Sequence, residues 1–121
     1  MSLNRLFADQ PQPEIAGSAR LLGTVHVGAG AILAQGTVVR SHDESVVIGN
    51  HSAVLENGVV VGSRERPVRI GQRTVFGHRA QIIGATVGDL CEIGNGAILM
   101  PGARIELIAD PLGEMYGSKV L

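Results

Sequence analysis

An apolar residue recurs at every sixth position along most of this chain. The fifteen positions form four runs of constant spacing, separated by residues 40–47, by residues 61–69 and by one five-residue step before residue 87. They are Ile15, Leu21, Val27, Leu33, Val39, Ile48, Val54, Val60, Ile70, Phe76, Ile82, Val87, Ile93, Leu99 and Ile105. An α-helix has a period of about 3.6 residues and a half-buried strand a period of two. The six-residue period therefore argues against helical bundles and ordinary alternating strands.

A second set of residues repeats with the same period, two positions before the apolar residue. Most of its members are small: Ala19, Ala31, Thr37, Ser52, Gly58, Thr74, Ala80, Ala85, Cys91, Ala97 and Ala103. Val25, Val46 and Val68 take three further positions. Small residues fit inward-facing sites near a corner, where space is short. The chain holds 17 glycines and only 2% aromatic residues, so its core must consist of many small aliphatic side chains between tight corners.

These two registers predict an all-β fold, a left-handed parallel β-helix of hexapeptide repeats. Six residues form one short strand and a corner, and three such units close a triangular coil. The coils stack at about the 4.8 Å spacing of paired strands, so fifteen units give about five coils. We expect an N-terminal arm over residues 1–14, the β-helix over residues 15–105 and a C-terminal tail over residues 106–121. Both interruptions of the repeat should loop out from a corner.

Charge and hydropathy argue against several classes of protein. The formal net charge is −1, so neither nucleic acid nor an anionic membrane is expected as a partner. No apolar run approaches the ~20 residues that span a bilayer, and residues 1–13 lack the apolar stretch of a signal peptide. A cytoplasmic location is therefore expected. Cys91 is the only cysteine, which excludes an internal disulfide, and its place in the small register predicts a core position.

Local motifs add a family resemblance to the periodicity. They are residues 38–40 (Val-Val-Arg), 48–49 (Ile-Gly), 57–60 (Asn-Gly-Val-Val), 77–78 (Gly-His), 84–89 (Gly-Ala-Thr-Val-Gly-Asp) and 93–97 (Ile-Gly-Asn-Gly-Ala). Over about residues 15–105 the chain resembles the gamma-class carbonic anhydrase-like branch of the hexapeptide-repeat family. The resemblance implies a homotrimer with a metal that three histidines from two neighbouring subunits hold.

The resemblance places the three metal ligands at positions 62, 78 and 83. Only His78 is a histidine, and the other two positions hold Gly62 and Ile83. Zinc in catalytic sites needs about three protein ligands, so we expect neither a zinc site nor another cofactor. An alternative is a relocated metal site that combines His42 with His78 of a neighbouring subunit. This alternative is disfavoured, because two ligands seldom hold zinc.

The resemblance also implies an ion pair at the subunit contact. Arg40 aligns with the family's arginine, while His42 and Asn57 replace the two aspartates that would face it. Asp43 or Glu56 could take the part of the carboxylate. Arg40, Asp43, Glu56 and Asn57 are therefore the expected interface residues.

Three functions follow from this reading. The first is a trimeric, gamma-carbonic anhydrase-like protein that lacks the usual zinc site and anhydrase activity and serves as a binding or assembly module. The second is a coenzyme A-dependent acyltransferase with His78 as general base, since imidazole titrates near neutral pH. The third is a carbonic anhydrase with a non-standard metal site. His78 could also be a purely structural corner residue.

Overall fold

The computed structural model describes residues 11–109 and 115–120. Sixteen short strands make up the described chain. They are β1 (Glu14–Ile15), β2 (Arg20–Leu22), β3 (Val25–Val27), β4 (Ile32–Leu33), β5 (Val38–Ser41), β6 (Val46–Ile48), β7 (Ala53–Val54), β8 (Val59–Gly62), β9 (Val68–Ile70), β10 (Val75–Phe76), β11 (Gln81–Ile83), β12 (Thr86–Val87), β13 (Glu92–Ile93), β14 (Ile98–Leu99), β15 (Arg104–Ala109) and β16 (Met115–Val120). Each residue of the six-residue register lies in its own strand.

Three parallel sheets form the three sides of the molecule. The first contains β1, β4, β7, β10 and β13, the second contains β2, β5, β8, β11 and β14, and the third contains β3, β6, β9, β12 and β15. Each of these strands therefore pairs with the strand three places earlier or later in the sequence, which gives five stacked triangular coils. The register aligns the repeat positions, so that Phe76 pairs with Val54 on one side and with Ile93 on the other. The predicted left-handed parallel β-helix is confirmed.

The repeat residues build a continuous core inside the prism. Twelve of the fifteen are buried, that is, all except Ile15, Leu21 and Val27, which belong to the first coil. Phe76 is fully buried and is the largest such side chain, while Cys91 is buried at a corner. Burial of apolar area is the main favourable term in folding, so the register found in the sequence is also the register that stabilises the fold.

Buried hydroxyl groups satisfy the backbone at the corner between the third and first sheets. The Thr74 Oγ1 hydroxyl donates to the Gly88 carbonyl at 2.6 Å and accepts the Cys91 N–H at 3.2 Å. The Thr74 N–H in turn donates to Ser52 Oγ at 3.0 Å. Because unpaired buried polar groups are costly, the hydroxyls of Ser52 and Thr74 in the small register stabilise this corner.

Both interruptions of the repeat lie at the corner between the second and third sheets. The first loop is closed by Ser41 and Ser45, whose Oγ atoms accept the backbone N–H groups of Ser45 and His42 at 2.8 and 3.1 Å. The second loop, residues 63–67, closes through two backbone hydrogen bonds between Ser63 and Arg66 at 3.0 and 3.1 Å. Residues 64–66 are exposed. The predicted outward loops are confirmed.

The C-terminal part continues the third sheet beyond the last repeat residue. Strand β15 runs on to Ala109 and pairs in antiparallel fashion with β16, with Ile105 opposite Val120. Most of the expected N-terminal arm, residues 1–10, lies outside the described residues. In the part of the chain that the structure describes, no helix is long and apolar enough to cross a bilayer.

Candidate functional site

A column of polar residues runs along the corner between the first and second sheets, here called the first corner. Gln35, Glu56, His78 and Asn95 occupy equivalent positions on successive coils, each two residues after a buried repeat residue. Backbone hydrogen bonds stack them: the N–H groups of residues 57, 79 and 96 donate to the carbonyls of Gln35, Glu56 and His78 at 2.8–2.9 Å. The repeat thus places four chemically different side chains above one another at a fixed spacing.

His78 and Glu56 form a contact within this column. Nδ1 of His78 lies 2.8 Å from Oε2 of Glu56, and the two side chains are about half exposed. The backbone N–H of His78 donates to Asn95 Oδ1 at 2.8 Å. That amide oxygen also lies where a Cβ on Gly77 would be, and the Asn95 backbone nitrogen would be 2.6 Å from the same Cβ. Gly77 is therefore required for the close approach that fixes the backbone of His78.

The contact decides which imidazole nitrogen is available for chemistry. Glu56 Oε2 is itself buried, and among the described residues no donor, His78 included, meets it in hydrogen-bond geometry. A carboxylate beside Nδ1 favours the tautomer with the proton on that nitrogen, which leaves the lone pair on Nε2. His78 is accessible to solvent at the corner. The arrangement can therefore orient a general base and stabilise the imidazolium that forms when it accepts a proton.

The other two positions of the implied metal site are occupied in ways unsuited to a ligand. Gly62 is buried, and a Cβ there would lie 2.7 Å from the Ser45 carbonyl oxygen. Ile83 is half-buried and pairs with Val61. His42 is exposed and donates its N–H to the Gly62 carbonyl at 3.1 Å, at a different corner from His78. Among the described residues, no group of three or more His, Cys, Asp and Glu side chains is placed to hold a metal.

The ion pair expected of Arg40 is one between subunits, so a single chain leaves it a prediction. Arg40 is exposed at the end of β5, and no described carboxylate lies within 4.0 Å of it. Asp43 instead approaches Arg64 at 4.0 Å, and Glu56 faces His78. Asn57 is an exposed corner residue with φ 63°. The structure therefore brings together only Glu56 and His78 from the set of predicted site residues.

Residues 67–101 match the family model described as the hexapeptide repeat of succinyl-transferase. This match covers two coils around His78. The matched stretch includes the five-residue step from Ile82 to Val87 as well as the regular six-residue repeats.

Two of the solved structures that match the chain are those of acetyltransferases. A histidine-to-alanine mutant of GDP-perosamine N-acetyl transferase from Caulobacter crescentus, in complex with CoA and GDP-perosamine, matches with a TM-score of 0.51 and 19% identity over 95% of this chain and 62% of that one. The acetyltransferase domain of PglB from Neisseria gonorrhoeae, in complex with acetyl coenzyme A, matches with a TM-score of 0.43 and 19% identity over 79% of this chain and 52% of that one. The chain therefore spans about half to three fifths of the length of these proteins.

These comparisons overturn the main functional expectation. The interpretation as a gamma-carbonic anhydrase-like binding or assembly module is wrong, because the matching family model and the solved structure that matches with a TM-score of 0.51 are those of transferases. The physical reason lies in the motifs themselves. Gly-His and Ile-Gly-Asn stretches encode corners of the β-helix, as the Gly77–Asn95 contact illustrates, so they indicate the fold and not one particular reaction. The chain is thus a left-handed β-helix of hexapeptide repeats, and its residues 67–101 are similar to the hexapeptide repeat of succinyl-transferase.

Proposed function

We propose that this chain is a coenzyme A-dependent acyltransferase in which His78 is the general base. The single observation that carries this proposal is the 2.8 Å contact between His78 Nδ1 and Glu56 Oε2 at an accessible corner. A base oriented by a carboxylate is the arrangement that activates a hydroxyl or amine nucleophile. Glu56 acts on the acceptor through His78, so it is a positioning residue.

The reaction needs one proton acceptor and one proton donor, and His78 can serve as both. Nε2 removes a proton from the acceptor as the acceptor attacks the thioester carbonyl carbon. The carbon–sulfur bond then breaks, and the imidazolium returns the proton to the leaving thiolate of coenzyme A. Glu56 stabilises the imidazolium between the two steps. Such general base catalysis contributes about 10²–10⁴-fold to a rate.

The similar fold of the Caulobacter crescentus protein supports the choice of acyl donor, since that structure contains CoA. The likeness is one of fold, and the present chain covers 62% of that protein. The acceptor of the Caulobacter crescentus enzyme is therefore not carried over to this chain.

We further propose a homotrimer that packs through the outer side of the second sheet. This side presents Ile98 and Met100, which are 57% and 60% exposed, next to the half-buried Val61 and Ile83. Contiguous apolar side chains on a surface are characteristic of protein interfaces, and closed cyclic symmetry is the usual form of a homo-oligomer. The first corner borders this sheet, so a neighbouring subunit would stand beside His78. Light scattering in solution should give three times the mass of one chain, and a monomeric mass would contradict this part of the proposal.

Titration calorimetry with acetyl coenzyme A tests the proposed acyl donor. We expect saturable binding with one acetyl coenzyme A per chain in the wild-type protein. His78→Ala should bind with nearly the same affinity, because the proposed role of His78 concerns the acceptor proton. Absence of binding at millimolar acetyl coenzyme A would contradict the proposed function.

A further inference from the structure

A groove of about 440 Å³ opens on the outside of the first sheet and the first corner. Its walls come from the first three coils, and Glu14, Ile32, Gln35 and Glu56 belong to its lining. Glu56 lies at the end of the groove nearest His78, since its Oε2 contacts His78 Nδ1. The groove therefore leads along the corner to the proposed general base.

We propose that this groove binds the acyl acceptor and that the acceptor is a primary amine attached to an apolar group. The inference rests on the proposed function, which it extends by naming the class of acceptor and the residues that select it. It assigns the first coils to acceptor binding, while His78 on the fourth coil supplies the base.

The charge of the groove favours a cationic ligand. Glu14 and Glu56 carry carboxylates, and no arginine or lysine belongs to the groove lining. No described arginine or lysine lies within 4.0 Å of either carboxylate. Complementary charge selects partners and rejects groups of the same sign, so an ammonium group fits this lining better than a carboxylate or phosphate does.

Apolar side chains form the remainder of the groove. Ile32 is 39% exposed and faces outward, since its neighbour Leu33 takes the buried position, and Ala16 and Ala34 line the groove beside it. Ligand sites combine apolar walls with a few polar groups that fix orientation. Gln35 is one such polar group in the groove lining. Its carboxamide oxygen accepts a hydrogen bond from Ser18 Oγ, and Ser18 Oγ in turn accepts the Gly36 N–H at 2.9 Å.

Transfer of the acyl group to an amine needs only the amine, acetyl coenzyme A, His78 and water. The bound ammonium first loses one proton to water and becomes a neutral amine. Its nitrogen attacks the thioester carbon of acetyl coenzyme A, a carbon–nitrogen bond forms and the carbon–sulfur bond breaks. His78 Nε2 takes the second proton from nitrogen and gives it to the leaving thiolate. The products are an amide and free coenzyme A.

Two probes of matched shape separate charge from hydrophobicity. Backbone amide NMR spectra of the full chain would be recorded with 2-phenylethylamine and, in parallel, with 2-phenylethanol. We expect the amine to shift the signals of Ile15, Ile32 and Gln35, and the alcohol to leave them in place. Glu14→Gln should weaken amine binding by up to about fivefold, the ratio that corresponds to an exposed ion pair of about 1 kcal/mol. Glu92→Gln is the control, because Glu92 lies on the same sheet in the last coil and outside the groove.

The possible outcomes separate this proposal from the one on which it rests. Equal shifts with alcohol and amine, or amine shifts confined to other parts of the chain, would overturn the amine acceptor even if acetyl coenzyme A binds. Amine shifts at the groove that Glu14→Gln weakens and Glu92→Gln does not, together with acetyl coenzyme A binding, would support it. Absence of acetyl coenzyme A binding would overturn the acceptor role together with the proposed function.

Discussion

Glu56 and His78 occupy the same position on neighbouring coils, and Oε2 of the one lies 2.8 Å from Nδ1 of the other. The repeat itself creates this relationship, because each residue comes two positions after a buried repeat residue, Val54 and Phe76. Those two residues pair in register between β7 and β10. The stacking that folds the chain thus also brings together the two side chains that the proposed catalytic site requires.

Replacement of the carboxylate tests whether Glu56 positions the base. Glu56→Gln should lower kcat for acyl transfer by at least about tenfold, because the amide no longer stabilises the imidazolium; loss of the carboxylate in a buried triad costs about 10⁴-fold. The Michaelis constant for acetyl coenzyme A should stay within about twofold. Glu44→Gln, on the exposed loop at another corner, is the matched control. An unchanged kcat for Glu56→Gln would show that the contact is structural only.

Two glycines in equivalent positions should respond differently to alanine. A Cβ on Gly77 would overlap Asn95, whereas a Cβ on Gly94, one coil further, meets nothing within 4 Å. Neither glycine has positive φ, so only the contact differs. Gly77→Ala should lower the free energy of unfolding by about 1–3 kcal/mol, as overpacking does, and Gly94→Ala should change it by less than about 0.5 kcal/mol. Urea unfolding followed by circular dichroism measures both, and equal effects would contradict the close approach at Gly77.

The buried hydroxyl of Thr74 should matter more than its methyl group. Thr74→Val keeps the shape but removes the acceptor of the Cys91 N–H and the donor to the Gly88 carbonyl. A buried polar group left without a partner costs about 1–3 kcal/mol, so the unfolding free energy should fall by that amount. Thr86→Val is the control, since Thr86 is exposed on the outer side of β12. Similar stabilities of the two variants in urea titrations would argue against the buried hydrogen bonds.

The fold was predictable because its signal is repeated fifteen times in the sequence. Residues such as Leu33, Val54 and Phe76 are buried where the six-residue register places them, and both interruptions form loops at one corner. The antiparallel pairing of β15 with β16 was not predictable, because residues 106–121 carry no six-residue period and a single hairpin has no repeated signal.

The candidate site was predictable only in part. The sequence indicates His78 as a possible base, but it suggests Glu56, like Asp43, only as a possible partner of Arg40, since the resemblance directs attention to the subunit interface. Glu56 and His78 are 22 residues apart, and both stand two residues after an inward position. This shared position in the repeat is the signal that would have predicted their contact. The groove that begins near Glu14 depends on the exposure of Ile32, and the six-residue repeat assigns no role to that outward position.

The most direct measurement is the rate of thiol release from acetyl coenzyme A by the wild-type chain, His78→Ala and His51→Ala, with 2-phenylethylamine as acceptor. His51 is an exposed corner residue on another side of the β-helix, so it controls for the loss of a surface histidine. The proposed mechanism predicts acceptor-dependent thiol release that His78→Ala lowers by about 10²–10⁴-fold and His51→Ala leaves within about twofold. Acceptor-dependent release that persists at the wild-type rate in His78→Ala would contradict the proposed mechanism, and no acceptor-dependent release by the wild-type chain would contradict the amine acceptor.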